Sequence, residues 1–315
     1  KHFSRLGLGT FVILGLGAVV QILAMGVVDR VFPQWMENSW GMWLITFAPL
    51  YLIAVPVGLL LLRKVPVKPL EKHDLKPGRY IVSAIICIFM MYAGNILGTI
   101  ITALLQLLPG ISAGNPILSY ATDNALLPKI LFMVILAPVI EEYIFRKQLI
   151  DRMHIYGEKV AVITSALMFG LFHGNLSQLF YAFALGLVFG YVYLKTGKLR
   201  YSIGLHMLIN FIGSVVGPFF LEKLAVLDTM ETMDLTTLEP ILPWLLGFGA
   251  YVLVLIGLAI AGLVLLCINK HRVSFAPAEL ELPKESRFRT VYLNVGMILL
   301  ILGCAALIIS NVIML

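Results

Sequence analysis

Nine stretches of this chain are each apolar over roughly the 20 residues that a helix needs to cross a bilayer. They lie near 8–28, 40–62, 80–108, 129–149, 160–176, 178–194, 202–220, 244–267 and 291–315. A soluble protein of 315 residues could not hide so much oil, because an ordinary folded surface is already more than half apolar. Here 60% of residues are hydrophobic and 13% charged, against roughly 45–50% and about 25% in a soluble domain. The reading is an all-α, polytopic transmembrane helix bundle of about 8–9 spans. Disordered, collagenous and disulfide-scaffold classes are excluded. The cysteines, Cys87, Cys267 and Cys304, sit inside apolar runs without CxxC spacing and read as small hydrophobes. The first run lacks a small-residue cleavage site and is long enough to span, so it reads as a span rather than a leader.

Charge orients the bundle. With the N-terminus in the cytoplasm, 20 of the 23 Lys and Arg residues fall inside and only Arg30, Lys129 and Lys223 outside, as the positive-inside rule requires. The net charge of +6 is then topology rather than a nucleic-acid surface. The expected setting is a multi-pass protein of the cell membrane with the lipid bilayer as partner and no nucleic acid. The third run is long enough to tilt or break. The fifth and sixth are joined by Gly174-Asn175-Leu176-Ser177 and should form a tight hairpin. Two hydrophilic connectors, Arg63 to Arg79 and Lys270 to Arg289, read as hinges or docking sites. Gly186 and Gly190 form a GxxxG that allows a close helix approach.

Ionisable groups inside a span are expensive and mark function by default. They concentrate in three helices: Glu141, Glu142 and Arg146 in the fourth, Phe169 and His173 in the fifth, and His206 and Asn210 in the seventh. Adjacent helical residues diverge by about 100°, so Glu141 and Glu142 are expected to face different points. Glu142 lies four residues before Arg146, the favourable order for a salt bridge, and reads as structural. Glu141 then faces the bundle interior. His206 and Asn210, spaced i, i+4, share a face and with His173 could enclose a polar chamber opening toward the cytoplasm. Two chemistries fit. Glu141 could act as a general base on water beside a His, with the second His and the amide donating to an oxyanion. Alternatively Glu141, His173 and His206 could ligate one divalent metal such as Zn²⁺. Either gives hydrolysis of a carbonyl bond within the membrane. At 1.5 Å per residue, straight helices would hold His173 and His206 apart. The fifth helix is therefore expected to tilt strongly or to begin before Lys159.

The motifs EExxxR, FxxxH and HxxxN, in that order on separate spans, resemble the CPBP or Abi family of intramembrane endopeptidases, which includes type II CAAX prenyl proteases and bacteriocin-immunity proteins. The resemblance covers about 125–220. It divides the chain into an N-terminal region of three spans (1–124), a core of four (125–220) and a C-terminal region of two (221–315). It implies that Glu141 activates water with the help of His173, that His206 and Asn210 form the oxyanion site, and that Glu142 and Arg146, with Phe169, support the fold. It leaves metal dependence open. The implied activity is intramembrane endopeptidase of the CAAX type. Its substrate would be a membrane-associated peptide or protein, lipid-modified or not.

Rival readings are a non-catalytic immunity or scaffold protein and a proton- or cation-coupled transporter. No internal repeat or pair of broken helices supports the transporter. Gly110-Ile-Ser-Ala-Gly114 matches GxSxG but lies in a loop after Leu107-Leu108-Pro109, without the strand-turn-helix setting of a nucleophile elbow. Trp35, Trp40 and Trp43 read as an interfacial belt.

Overall fold

The expected spans are helical in the computed structural model, which describes residues 1–109, 111, 125–225, 227 and 238–313. Among these residues ten helices follow in order and no strand occurs. They are α1 (His2–Val31), α2 (Ser39–Leu62), α3 (Pro77–Leu105), α4 (126–153), α5 (Glu158–Phe172), α6 (Leu176–Thr196), α7 (Leu199–Leu224), α8 (Leu242–Arg272), α9 (Lys284–Tyr292) and α10 (Val295–Val312). Wide π turns interrupt α2 at Pro49–Ala54 and α4 at Ile130–Leu136 and Tyr143–Ile150. The GxSxG stretch and most of the loop after α7 lie outside the described residues.

Seven helices (α1, α2, α3, α6, α7, α8 and α10) are long and apolar enough to cross a membrane, and the chain is a multi-pass membrane protein. The two remaining expected spans fall short of that standard for a chemical reason. α4 carries Glu141, Glu142, Arg146, Lys147, Asp151 and Arg152, and α5 has only 15 residues. Polarity is tolerated there because neighbouring helices surround both. The second connector differs from expectation, since residues 284–292 form α9, a short polar helix with Val291 buried and Phe288 exposed. The last span accordingly begins at Val295.

Asparagine sets several helix starts. Asn38, Asn175 and Asn294 each accept a hydrogen bond from a first-turn amide of α2, α6 and α10, which satisfies donors a helix start leaves open. The α5–α6 turn is tighter than its sequence span suggested: α5 ends at Phe172, and Leu176 already belongs to α6. Gly174 turns the chain at φ +63°, a left-handed value that favours glycine.

Lipid tails are as apolar as the helices, so packing rests on close contact rather than hydrophobic drive. A Cβ on Gly94 of α3 would lie 2.4 Å from the Tyr181 Cα of α6, and one on Gly186 of α6 would lie 3.0 Å from the Ala166 Cα of α5. These contacts draw α3 and α5 onto α6. α1 and α10 run side by side in the same direction, with Gly7 meeting Gly296 and Phe11 meeting Gly303. The far end of α10 reaches the α5–α6 turn, where the Asn311 side-chain amide donates to the Gly174 carbonyl at 2.9 Å.

Two extended straps cross one end of the bundle. In the first, residues 63–76, the Lys68 N–H bonds the Asp151 carbonyl (2.9 Å) and the His73 N–H bonds the Thr196 carbonyl (2.8 Å). The Asp74 carboxylate of this strap takes hydrogen bonds from Lys198, Arg200 and Tyr201. In the second, residues 273–283, the Ala276 N–H bonds Glu158 Oε2 at 2.7 Å and the Leu280 N–H bonds the Ile155 carbonyl at 2.9 Å. Lys68 and Glu279 pair the two straps directly.

Candidate active site

Pro138 organises α4 around the site. The Ala137 N–H bonds the Phe132 carbonyl five residues back, and Pro138 offers no N–H, so the Met133 carbonyl is left for a partner outside the helix. Asn210 of α7 supplies it, its Nδ2 donating at 2.8 Å. A turn later the second wide stretch of α4 is served similarly, with Ser165 Oγ of α5 donating to the Phe145 carbonyl at 2.6 Å. These bonds tether α5 and α7 to α4 beside the paired carboxylates.

The centre is His206. Its Nδ1 lies 3.1 Å from Glu142 Oε1 and its Nε2 lies 3.7 Å from Glu141 Oε2. The expectation that adjacent glutamates face different points is thus corrected. Both carboxylates meet the same imidazole, one beside each ring nitrogen. Glu142 also pairs with Arg146, Nε to Oε2 at 3.0 Å, and both side chains are fully buried. The Arg146 guanidinium lies against two phenyl faces, 4.5 Å from the Phe169 centroid and 5.6 Å from that of Phe189. Its terminal nitrogens have no hydrogen-bond partner among the described residues. Electron-rich ring faces therefore provide much of its solvation.

Phe169 and Phe189 frame the rest. Phe189 stacks on His206 (centroids 5.1 Å apart, planes 25° apart), and Phe169 meets His206 and His173 edge-on at 5.6 and 4.9 Å. α5 begins at Glu158, one residue before Lys159. The two histidines come together across Phe169, one turn before His173. The His173 Nδ1 lies 2.8 Å from the Phe169 carbonyl. A carbonyl only accepts, so Nδ1 carries a proton and donates it to that bond. His173 is within electrostatic range of Glu141 and His206.

The expected open chamber is instead a packed cluster. Glu142 and Arg146 are sealed, the His206 side chain is 5% exposed and that of Glu141 21%, so Glu141 is the less enclosed of the two carboxylates. A cavity of about 120 Å³ lies elsewhere, at the strapped end beside Glu158 and Phe275. The set considered for Zn²⁺ is not assembled. Glu141 and His206 are neighbours, but no three His, Cys, Asp or Glu side chains among the described residues converge to hold an ion. Asn210 also departs from expectation, since one of its two amide protons is committed to Met133.

Sequence reasoning missed Phe189, whose place inside the GxxxG of α6 suggested packing alone. It also missed the buried Asp151, which takes a hydrogen bond from the Tyr193 hydroxyl (2.7 Å) and pairs with the Lys147 ammonium (2.6 Å), locking the end of α4 to α6. The i, i+4 spacing of Lys147 and Asp151 was the available signal.

Residues 123–212 match the family model for type II CAAX prenyl endopeptidase Rce1-like proteins. This stretch contains every glutamate, histidine and asparagine of the cluster. The chain is also 33% identical over 88 residues to the membrane-embedded CAAX protease MroQ of Staphylococcus aureus (strain USA300). That alignment covers 26% of this chain and 36% of MroQ, so the chain spans about a third of the length of the curated relative it matches. No solved structure matches.

Proposed function

We propose that this chain is an intramembrane endopeptidase that hydrolyses a peptide bond of a membrane-associated protein or peptide, using water activated at Glu141. The observation that carries the reading is the His206 ring held between two carboxylates, one sealed and paired with Arg146, the other partly exposed. This is a division of labour between two chemically identical groups set by environment alone. The similarity of the same stretch to CAAX-type proteases supports it.

In this reading Glu142 anchors and Glu141 reacts. Glu142 accepts from His206 Nδ1–H and fixes the ring, leaving Nε2 directed at the Glu141 side. Glu141, with His173 Nε2 as a second acceptor nearby, takes a proton from water as the oxygen attacks the scissile carbonyl carbon. His206, protonated at Nε2, donates to the oxygen as it gains charge, and the second amide proton of Asn210 is the remaining donor assigned to that oxyanion. Collapse of the tetrahedral intermediate breaks the C–N bond, and the proton held by Glu141 passes to the leaving amine. Every step uses groups of the chain itself.

The 20 basic residues gathered at the strapped end, the connectors and the N-terminal side support placing that end in the cytoplasm of a cell-membrane protein. Substrates are then polypeptide tails that approach from that side, with or without a lipid anchor. The test is an N-terminomic comparison of membranes carrying the intact protein and its Glu141→Gln form. New N-termini that vanish in the variant, at equal protein levels, are expected. Identical profiles would overturn the proposal.

A further inference from the structure

The two histidines of the site are held in different ways. His206 is flanked at both ring nitrogens by glutamates of α4. His173 has no such grip. Among the described residues its ring makes one hydrogen bond, to the Phe169 carbonyl of its own helix, and it meets the Phe169 ring edge-on. Where the imidazole stands is therefore decided by the backbone that carries it. That backbone is a helix end, since α5 stops at Phe172 and His173 already belongs to the turn.

A helix end leaves carbonyls without amide partners, and inside a bilayer they must find other donors. Two side-chain amides serve this turn. Asn175 Nδ2 donates to the His173 carbonyl at 2.9 Å, and Asn311 Nδ2 donates to the Gly174 carbonyl at 2.9 Å. The two differ in what they can fix. Asn175 lies in the turn itself and is braced within α6, by Gln178 Oε1 at 2.5 Å and through Gln178 Nε2 to the Tyr181 hydroxyl at 2.9 Å. Asn311 comes from α10, 137 positions away. Leu307, one turn before it, sits against Gly174, where a Cβ would come within 3.2 Å. The start of α10 is seated on α1, where Gly296 meets Gly7. The last span is thus a strut with one end on α1 and the other on the residue next to His173.

We propose that Asn311 is a positioning residue for His173: by holding the Gly174 carbonyl from α10 it fixes the end of α5, and with it the imidazole that faces His206 across Phe169. The inference rests on the proteolytic reading above. It extends the working unit from residues 123–212 to the last span. Asn311 touches no reacting atom and acts only through the turn. The demand on that turn is strict, because a reacting group displaced by about 1 Å can lose about 100-fold in rate.

The test uses the purified full chain in micelles, with isotope-labelled histidine and an internally quenched, prenylated CAAX-type peptide, comparing the parent chain, Asn311→Leu and Glu141→Gln. Asn311→Leu keeps the side chain's size and removes the donor. It is expected to lower kcat by at least about 10-fold, within the loss that such a displacement produces, with KM nearly unchanged. In NMR spectra the ring-nitrogen signals of His173, identified by their absence from His173→Gln, are expected to move, while those of His206 stay as in the parent. A kcat equal to the parent's, with Glu141→Gln inactive, overturns the role of Asn311 alone. A lower kcat with the His173 signals unmoved also overturns it, as does a spectrum in which every histidine shifts, since that marks a loosened fold. Full activity in Glu141→Gln, or no cleavage by the parent chain, removes the reading on which the inference depends.

Discussion

Replacing Arg146 with methionine removes the cation from the sealed pair and leaves Glu142 charged, buried and 3.1 Å from a histidine. Two losses contribute. Stripping one partner from a buried ion pair costs about 3–5 kcal/mol, because the survivor stays desolvated. The contacts to Phe169 and Phe189 are worth about 0.5–2 kcal/mol each, and the methionine side chain recovers part of that through dispersion. The ion-pair term dominates, and against a typical total stability of about 5–15 kcal/mol Arg146→Met should be severely destabilised. The companion variant carries the sharper expectation. Pairing Arg146→Met with Glu142→Gln removes both charges, so most of the lost stability should return. Cleavage should not return, because His206 then lacks the anionic acceptor that orients it. The assay is denaturant unfolding of the purified chain in micelles, run beside cleavage of an internally quenched peptide substrate. Equal stability in Arg146→Met and the parent, or a double variant no more stable than the single, would refute the claim that the buried charge pair governs this region.

Two further outcomes follow from other parts of the molecule. Treatment with EDTA is expected to leave cleavage unchanged, because among the described residues no three His, Cys, Asp or Glu side chains converge to hold an ion; activity lost on chelation and restored by Zn²⁺ would show that His173 joins Glu141 and His206. The Asp74 carboxyl is held below its ordinary value of 3.8 by hydrogen bonds from Lys198 and Tyr201. A lowered carboxyl stabilises the fold above its unfolded value, and that contribution disappears as pH falls through the lower native value. Pepsin should therefore spare residues 63–76 near pH 5 and cut them more readily toward pH 2, whereas Asp74→Asn should be cut at both; a strap equally resistant at the two pH values refutes this.

What the sequence reveals depends on how local each interaction is. The spans are legible because crossing lipid demands long apolar runs, and the Glu142–Arg146 pair is legible because one helical turn fixes it. The grip of both glutamates on His206 is not, since it joins residues 64 positions apart through a ring whose two edges no spacing rule describes. Asn210 looked like an oxyanion donor from its place one turn after His206. Its bond to Met133 becomes visible only when the proline-opened turn of α4 is seen beside α7. Residues 284–292 were passed over because a short polar helix lacks the apolar run by which spans are found.

The shared direction of α1 and α10 has a consequence for how the chain is threaded. Both helices start at the same face, so the chain must traverse the bilayer an even number of times between those starts. α1, α2, α3, α6, α7 and α8 account for six passages. The charge-bearing α4 and the short α5 must then both go through or both turn back, and neither can do so without the other. Parity thus binds the helix of the glutamates to the helix of His173 as one re-entering or crossing unit.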